Sequence, residues 1–211
     1  MPHRVSPDAR CVLLWDVMGP YFGDHTVTLV LFLVTVVTWL GLELRQSVKR
    51  RAEAELSDRG SYFVARAGVG AGWIVAALSP SRLPGAAIGG EPFVFVVGLV
   101  IAWAGIGLRW WAFHTLGRYF TFRVQTSADQ PVISSGPYRL LRHPGYAGVE
   151  LVLIGMGFVY DNWIGVAATV IFPMLGLANR IRVEERALND ALGEPYRAFA
   201  STRKRMIPFV W

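Results

Sequence analysis

The chain has 211 residues, a net charge of +6, 53% hydrophobic and only 17% charged residues, with a mean hydropathy of +0.38. It is too apolar for an ordinary soluble domain and too short for several, so 1–211 reads as a single integral membrane domain. The one cysteine, Cys11, excludes an intramolecular disulfide, a cysteine-built zinc site and a redox pair. The histidines, His3, His25, His114 and His143, are too scattered along the chain to suggest a metal centre, and no metal is expected.

Windows of about 20 residues, the length of a bilayer-spanning helix, pick out five apolar segments. They run from Thr26 to Leu44, Tyr62 to Leu78, Pro92 to Phe113, Tyr146 to Tyr160 and Asn162 to Ala178. The expected fold is an all-α membrane protein of about five transmembrane helices. The first three lie within 26–113, a connector spans 114–145, and a helical hairpin with C-terminal helices fills 146–211. Asp161 and Asn162 alone separate the fourth and fifth segments, which predicts a tight antiparallel turn.

Lys and Arg crowd the stretches 45–61, 114–145 and 179–211 and are sparse or absent in the other connections. By the positive-inside rule the amino terminus is outside, and those three stretches are cytosolic. Lys49-Arg50-Arg51 and the lone Arg66 read as headgroup anchors, Arg66 by snorkelling from the second segment. The positive charge therefore points to membrane lipids as partners, not to nucleic acid, since no basic groove with interleaved aromatics is evident. Oligomeric state is not legible.

The third segment ends in Arg109-Trp110-Trp111, an interfacial signature of indoles with a cation. Beyond it, 120–124 and 131–133 flank the turn-like Ser127-Ala128-Asp129, which predicts a short hairpin. In the tail, Ile181, Leu188, Leu192, Tyr196 and Phe199 recur at near-helical spacing. Gly193-Glu194-Pro195 interrupts them, predicting a helix that continues from the fifth segment and a second, short helix folded back.

Chemistry concentrates in Tyr138, Arg142, His143, Tyr146, Arg180, Glu184 and Glu185, all on the cytosolic side of this topology. Arg180 and Glu184 are four apart and share a helix face. Glu150 lies one turn after Tyr146 inside an apolar segment. A carboxylate there faces the bundle or a wet cavity and calls for a partner such as Arg142. No nucleophile elbow and no phosphate-cradling glycine loop occur.

The run from Gly136 to Gly148 with its core Arg142-His143-Pro144-Gly145-Tyr146, the apolar hairpin after it, Glu184-Glu185, and Gly193-Glu194-Pro195-Tyr196 leading to Pro208-Phe209 resemble the isoprenylcysteine carboxyl methyltransferase family. The resemblance covers about the last hundred residues and extends more weakly to Leu116-Gly117-Arg118-Tyr119-Phe120. It implies an S-adenosylmethionine-dependent enzyme whose cofactor sits in a cytosol-facing pocket built by the C-terminal half. By the same resemblance Tyr138, His143, Pro144, Gly145, Tyr146 and Glu184 contact the cofactor, with Gln125, Gln130, Pro131, Val132 and Ile133 lining it. Arg180 matches the position that holds the acceptor carboxylate. The chain has Gly145 where those enzymes carry a serine.

The expected reaction is methyl transfer to a lipidic or prenylated acceptor. A carboxylate acceptor is already ionised and needs no base, and Arg180 would orient it. A phenol or thiol would need a base, with His143 or Glu185 as candidates. Arg180 and Glu185 are thus the catalytic candidates, and Arg180 and Glu150 those touching the acceptor. An isoprenoid or long-chain phenol, a phospholipid amine, a nicotinamide-dependent sterol or enone reductase, and a non-catalytic membrane protein remain as alternatives.

Overall fold

The computed structural model describes residues 26–47, 55–56, 60–117, 125–126, 131–207 and 211. The five apolar segments form α1 (Thr26–Ser47), α2 (Ser61–Arg82), α3 (Phe93–Leu116), α4 (Pro144–Val159) and α5 (Trp163–Leu192), and a short α6 (Glu194–Ser201) follows. α1, α2, α3 and α5 are each long and apolar enough to cross a bilayer, and α4 is a shorter apolar helix. The protein is thus an all-α integral membrane protein. Cys11, Lys49-Arg50-Arg51, the turn at Ser127–Asp129 and Gln130 fall outside the described residues.

Two glycine seams hold the bundle together. Gly98 and Gly105 of α3 face Gly155 and Gly148 of the antiparallel α4. A Cβ added at Gly155 would lie 2.5 Å from the Ala102 nitrogen, and one at Gly105 would lie 2.6 Å from the Val152 nitrogen. Only hydrogen fits there, so the two backbones meet directly, which is how helices gain contact where no water drives them together. Gly68, Gly72 and Gly176 form the corresponding seam between α2 and α5, against Phe172, Ala168 and Ala65 respectively. Flanked by α3 and α5, the short α4 buries Val152, Leu153 and Met156 completely.

The α4–α5 turn follows from its two polar residues. Asp161 adopts a left-handed φ of 52°, a conformation aspartate tolerates better than most side chains. Asn162 then caps α5 by accepting from the amides of Ile164 and Gly165 at 3.0 and 3.3 Å, and donates to the Leu83 carbonyl at 2.9 Å. Fully buried, Asn162 ties this turn to the end of α2.

The 30 residues of α5 reach about 45 Å, while a bilayer core is about 30 Å thick. Its last turns, carrying Glu184 and Glu185, therefore project past the apolar layer, with Arg180 one turn before them, and α6 folds back from Gly193. Of the hairpin expected from 120–124 and 131–133, the first arm and the turn fall outside the described residues. Gln125–Thr126 pairs antiparallel with Glu55–Leu56, and Pro131–Ile133 lies in no strand. Two connectors on the same side of the bundle thus pair with each other.

Candidate functional site at the polar end of the bundle

Three elements converge where α5 leaves the bundle. The first is the 3-10 turn Gly136–Arg139, and the second is the start of α4. Pro144 suits the first helical turn, where its missing N–H costs nothing, so α4 begins there and leaves Arg142 and His143 outside the helix, before its first turn. The third is the tail after α6, which runs alongside: the amides of Arg142 and His143 donate to the carbonyls of Lys204 and Arg205 at 2.8 and 2.9 Å. Arg203 Nε donates to the Tyr138 carbonyl at 3.0 Å. His143 is thereby held between α5 and the tail.

Its imidazole is buried and lies between two carboxylates, with Nε2 3.2 Å from Glu185 and Nδ1 3.9 Å from Glu184. It stacks on Tyr146 with centroids 5.6 Å apart. Glu185 also pairs with Arg142 at 3.2 Å and Arg205 at 3.0 Å. Burial pushes the Glu185 carboxyl up, but the hydrogen bond and charge of His143, with Arg142 and Arg205, outweigh burial and hold it below its ordinary value. It is an ionised hub surrounded by cations.

Tyr146 links this cluster to a cavity. Arg180 Nε donates to Tyr146 Oη at 3.1 Å, and Tyr146 Oη–H donates to Glu184 Oε2 at 2.7 Å. Arg180 also donates from Nη1 to Ser61 Oγ at 2.9 Å. Tyr146 and Arg180 line a cavity of about 320 Å³ bounded by α1, α2, α3, α4 and α5. Its walls are apolar, with Val69, Val149, Leu177 and the stacked indoles of Trp39 and Trp73, 5.3 Å apart. Its polar lining comprises Glu43, Tyr62, Arg66 and Arg109 beside Tyr146 and Arg180. An apolar-walled cavity with cations in its lining suits a lipid bearing a polar head.

Beside His143, the buried Tyr138 and Tyr196 pack with Ala112 and Phe199, and the half-buried Val132 and Ile133 close the cluster. Burial, then the nearby Glu184 and Tyr146, pushes the Tyr138 phenol up. Burial with the charges of Glu185 and Glu184 does the same to Tyr196. Both phenols are neutral donors at ordinary pH. Tyr196 Oη and Arg142 Nε are buried with no hydrogen-bond partner among the described residues.

The sequence-derived candidates Tyr138, His143, Pro144, Gly145, Tyr146, Arg180, Glu184 and Glu185 thus come together, with Val132 and Ile133 at their edge and Pro131 exposed. Of Gln125 only the backbone pairing is described. Glu150 differs from expectation: it is buried, but neither carboxylate oxygen finds a partner among the described residues. Arg142 precedes the first turn of α4, so it is no helical neighbour of Glu150 and turns to Glu185.

Arg109, read only as an interfacial cation, is buried and forms an ion pair with Glu43 of α1. Its Nη2 donates to Glu43 Oε2 at 2.9 Å, and its Nη1 donates to the Gly145 carbonyl at 2.7 Å. The signal for both was a charge near the end of an apolar segment, where an unpaired ion is costly. Tyr196 and Ser61 gave no comparable signal.

Fold and site together define an integral membrane protein whose apolar-walled cavity abuts a polar cluster. Residues 96–190 match the family model "Isoprenylcysteine carboxyl methyltransferase (ICMT) family". A probable protein-S-isoprenylcysteine O-methyltransferase of Oryza sativa subsp. indica is 32% identical over 120 residues, 56% of this chain and 63% of the relative. Protein-S-isoprenylcysteine O-methyltransferase A of Arabidopsis thaliana is 30% identical over 115 residues, 54% of this chain and 58% of the relative. The chain therefore spans less than two thirds of these relatives. The solved eukaryotic intramembrane Ras methyltransferase ICMT superposes with a TM-score of 0.58 and 25% identity, over 72% of this chain and 53% of that one. α1 and α2 lie outside the matched family stretch.

Proposed function

We propose that the protein is an S-adenosylmethionine-dependent methyltransferase that methylates the carboxylate of a lipidic acceptor, as in isoprenylcysteine O-methylation. The observation that carries this reading is the chain Arg180–Tyr146–Glu184, which runs from a lipid-sized cavity to the polar cluster around His143. The matched relatives are named as enzymes of that reaction.

S-adenosylmethionine, when bound, supplies a methyl group made electrophilic by a sulfonium. The residues present fit such a group. Glu184 offers acceptor oxygens for hydroxyl or amino groups, and the unpartnered Tyr196 Oη–H and Arg142 Nε–H are donors already desolvated. Such orphaned polar atoms are costly unless used. Tyr138, His143, Pro144, Gly145, Tyr146 and Glu184 would hold the cofactor, with Val132 and Ile133 at its edge.

A carboxylate acceptor is ionised at neutral pH, so the protein's task is alignment, and fixing two reactants in line supplies much of a rate enhancement. Arg180 holds the carboxylate, since a guanidinium binds it through two parallel hydrogen bonds. Tyr146 fixes Arg180 from one side and Ser61 from the other. Glu185, satisfied by Arg142, His143 and Arg205, positions His143. The apolar walls seat the lipid chain and exclude water. The distribution of Lys and Arg supports a cytosolic active site with the amino terminus outside.

The test is methyl transfer to N-acetyl-S-farnesylcysteine by the detergent-purified protein. Arg180→Ala should lower the rate at least about a hundredfold, as loss of one placed donor does elsewhere, with S-adenosylhomocysteine binding retained. Full activity of Arg180→Ala would refute the role given to Arg180.

A further inference from the structure

Arg66 stands out once the cavity is drawn. It lies on α2, outside the family-matched stretch 96–190, it lines the cavity, and its side chain is exposed. A residue that both lines a chamber and reaches its outside stands at the mouth. Its Nη1 donates to Tyr62 Oη at 3.3 Å, and among the described residues no carboxylate lies within ion-pair distance of it. Its guanidinium sits 5.6 Å from the Tyr62 ring centroid, and that of Arg180 sits 6.0 Å from the same ring. Tyr62 thus carries two cations, one at the mouth and one at the reacting end.

The remaining charges of the lining do not offset them. Glu43 is its single carboxylate and is engaged by Arg109 through two nitrogens. The entrance therefore keeps an excess of positive charge beside an aromatic ring and leads into apolar walls. A headgroup anchor would explain an exposed arginine, but it would not require placement on the cavity lining next to Tyr62 and in line with Arg180.

We propose that Arg66 is a specificity-determining residue which, with Arg180, selects lipidic acceptors carrying an anionic head over neutral or cationic ones. The proposal rests on reading the cavity as the acceptor site. Arg66 captures the anion at the mouth and passes it to Arg180, so its contribution lies in association, where charges at a rim act most strongly. A zwitterionic phospholipid, whose nucleophile is an amine beside a cationic centre, is disfavoured by the same charges.

The experiment measures quenching of tryptophan fluorescence, since Trp39 and Trp73 line the cavity, in neutral detergent free of anionic lipid. The probes are N-acetyl-S-farnesylcysteine and its methyl ester, and S-adenosylhomocysteine binding is measured alongside. Arg66→Gln should weaken the carboxylate probe about three- to fivefold, the upper part of the range for an exposed charge pair, and leave the ester unchanged. Arg66→Lys should restore most of the loss. In turnover the KM for the carboxylate probe should rise by the same factor with kcat unchanged, and the difference should shrink as salt screens it. Equal weakening of both probes, or no change in either, would overturn the proposal while leaving the methyltransferase reading intact. Wild-type protein that binds the cofactor but not the carboxylate probe would also overturn it. Protein that binds neither would overturn this proposal and the methyltransferase reading together.

Discussion

α1 and the core formed by α2 to α5 are built on different principles. In the core, backbone meets backbone along two glycine seams, with Gly155 against Ala102 and Gly176 against Ala65. α1 has no such seam. Val30, Leu33, Val34 and Val37 point outward, and the described contacts that hold α1 run through side chains. Trp103 Nε1 donates to Thr35 Oγ1 at 3.0 Å, Trp39 stacks on Trp73, and Glu43 meets Arg109. Yet Trp39, Leu40 and Glu43 form one wall of the cavity. The cavity is thus closed on one side by the least interlocked helix, while the side that carries the polar cluster is fixed by backbone contact.

The sharpest way to break this contrast is to give each region a side chain where it has a glycine. Gly155→Leu should destabilise the protein by about 3 kcal/mol or more, because the atoms in its way are backbone and cannot yield. In α1, a Cβ at Gly41 meets nothing within 4 Å, and Gly41→Leu should stay within about 0.5 kcal/mol of wild type. Thermal unfolding in detergent, followed by size exclusion, reads both.

The ion pair between the regions comes next. Arg109→Met strands a carboxylate whose side chain is only 19% exposed and should cost about 3–5 kcal/mol. Adding Glu43→Met should recover more than half of that loss, whereas a surface pair would show no such recovery. Asn162→Ala removes the α5 cap and the tie to α2 within the core and should cost about 1–2 kcal/mol. Smallest is Thr35→Val, which loses the hydrogen bond from Trp103 and should cost about 0.6 kcal/mol. A larger loss at Thr35 than at Asn162 would mean that α1 is as firmly built as the core.

The helices were legible because apolar runs of bilayer length, broken by Asp161 and Asn162, admit few other readings. The cluster was legible where its members are close in sequence, as in Tyr138 to Tyr146 and in Arg180 with Glu184, one helical turn apart. What was not legible depends on which helix faces which. Arg109 and Glu43 are 66 residues apart and become partners only when α1 docks on α3. Arg66 read as an anchor because spacing along α2 says nothing of the cavity beside it. Glu150 was matched to Arg142 by proximity in sequence, but the start of α4 at Pro144 separates their directions.

Calorimetric titration of the purified protein with S-adenosylhomocysteine tests most directly whether the cluster beyond Tyr146 is a cofactor site. Saturable binding that Glu184→Ala abolishes and Arg180→Ala retains is the expected result. No binding to the wild-type protein, or binding indifferent to Glu184→Ala, would contradict it.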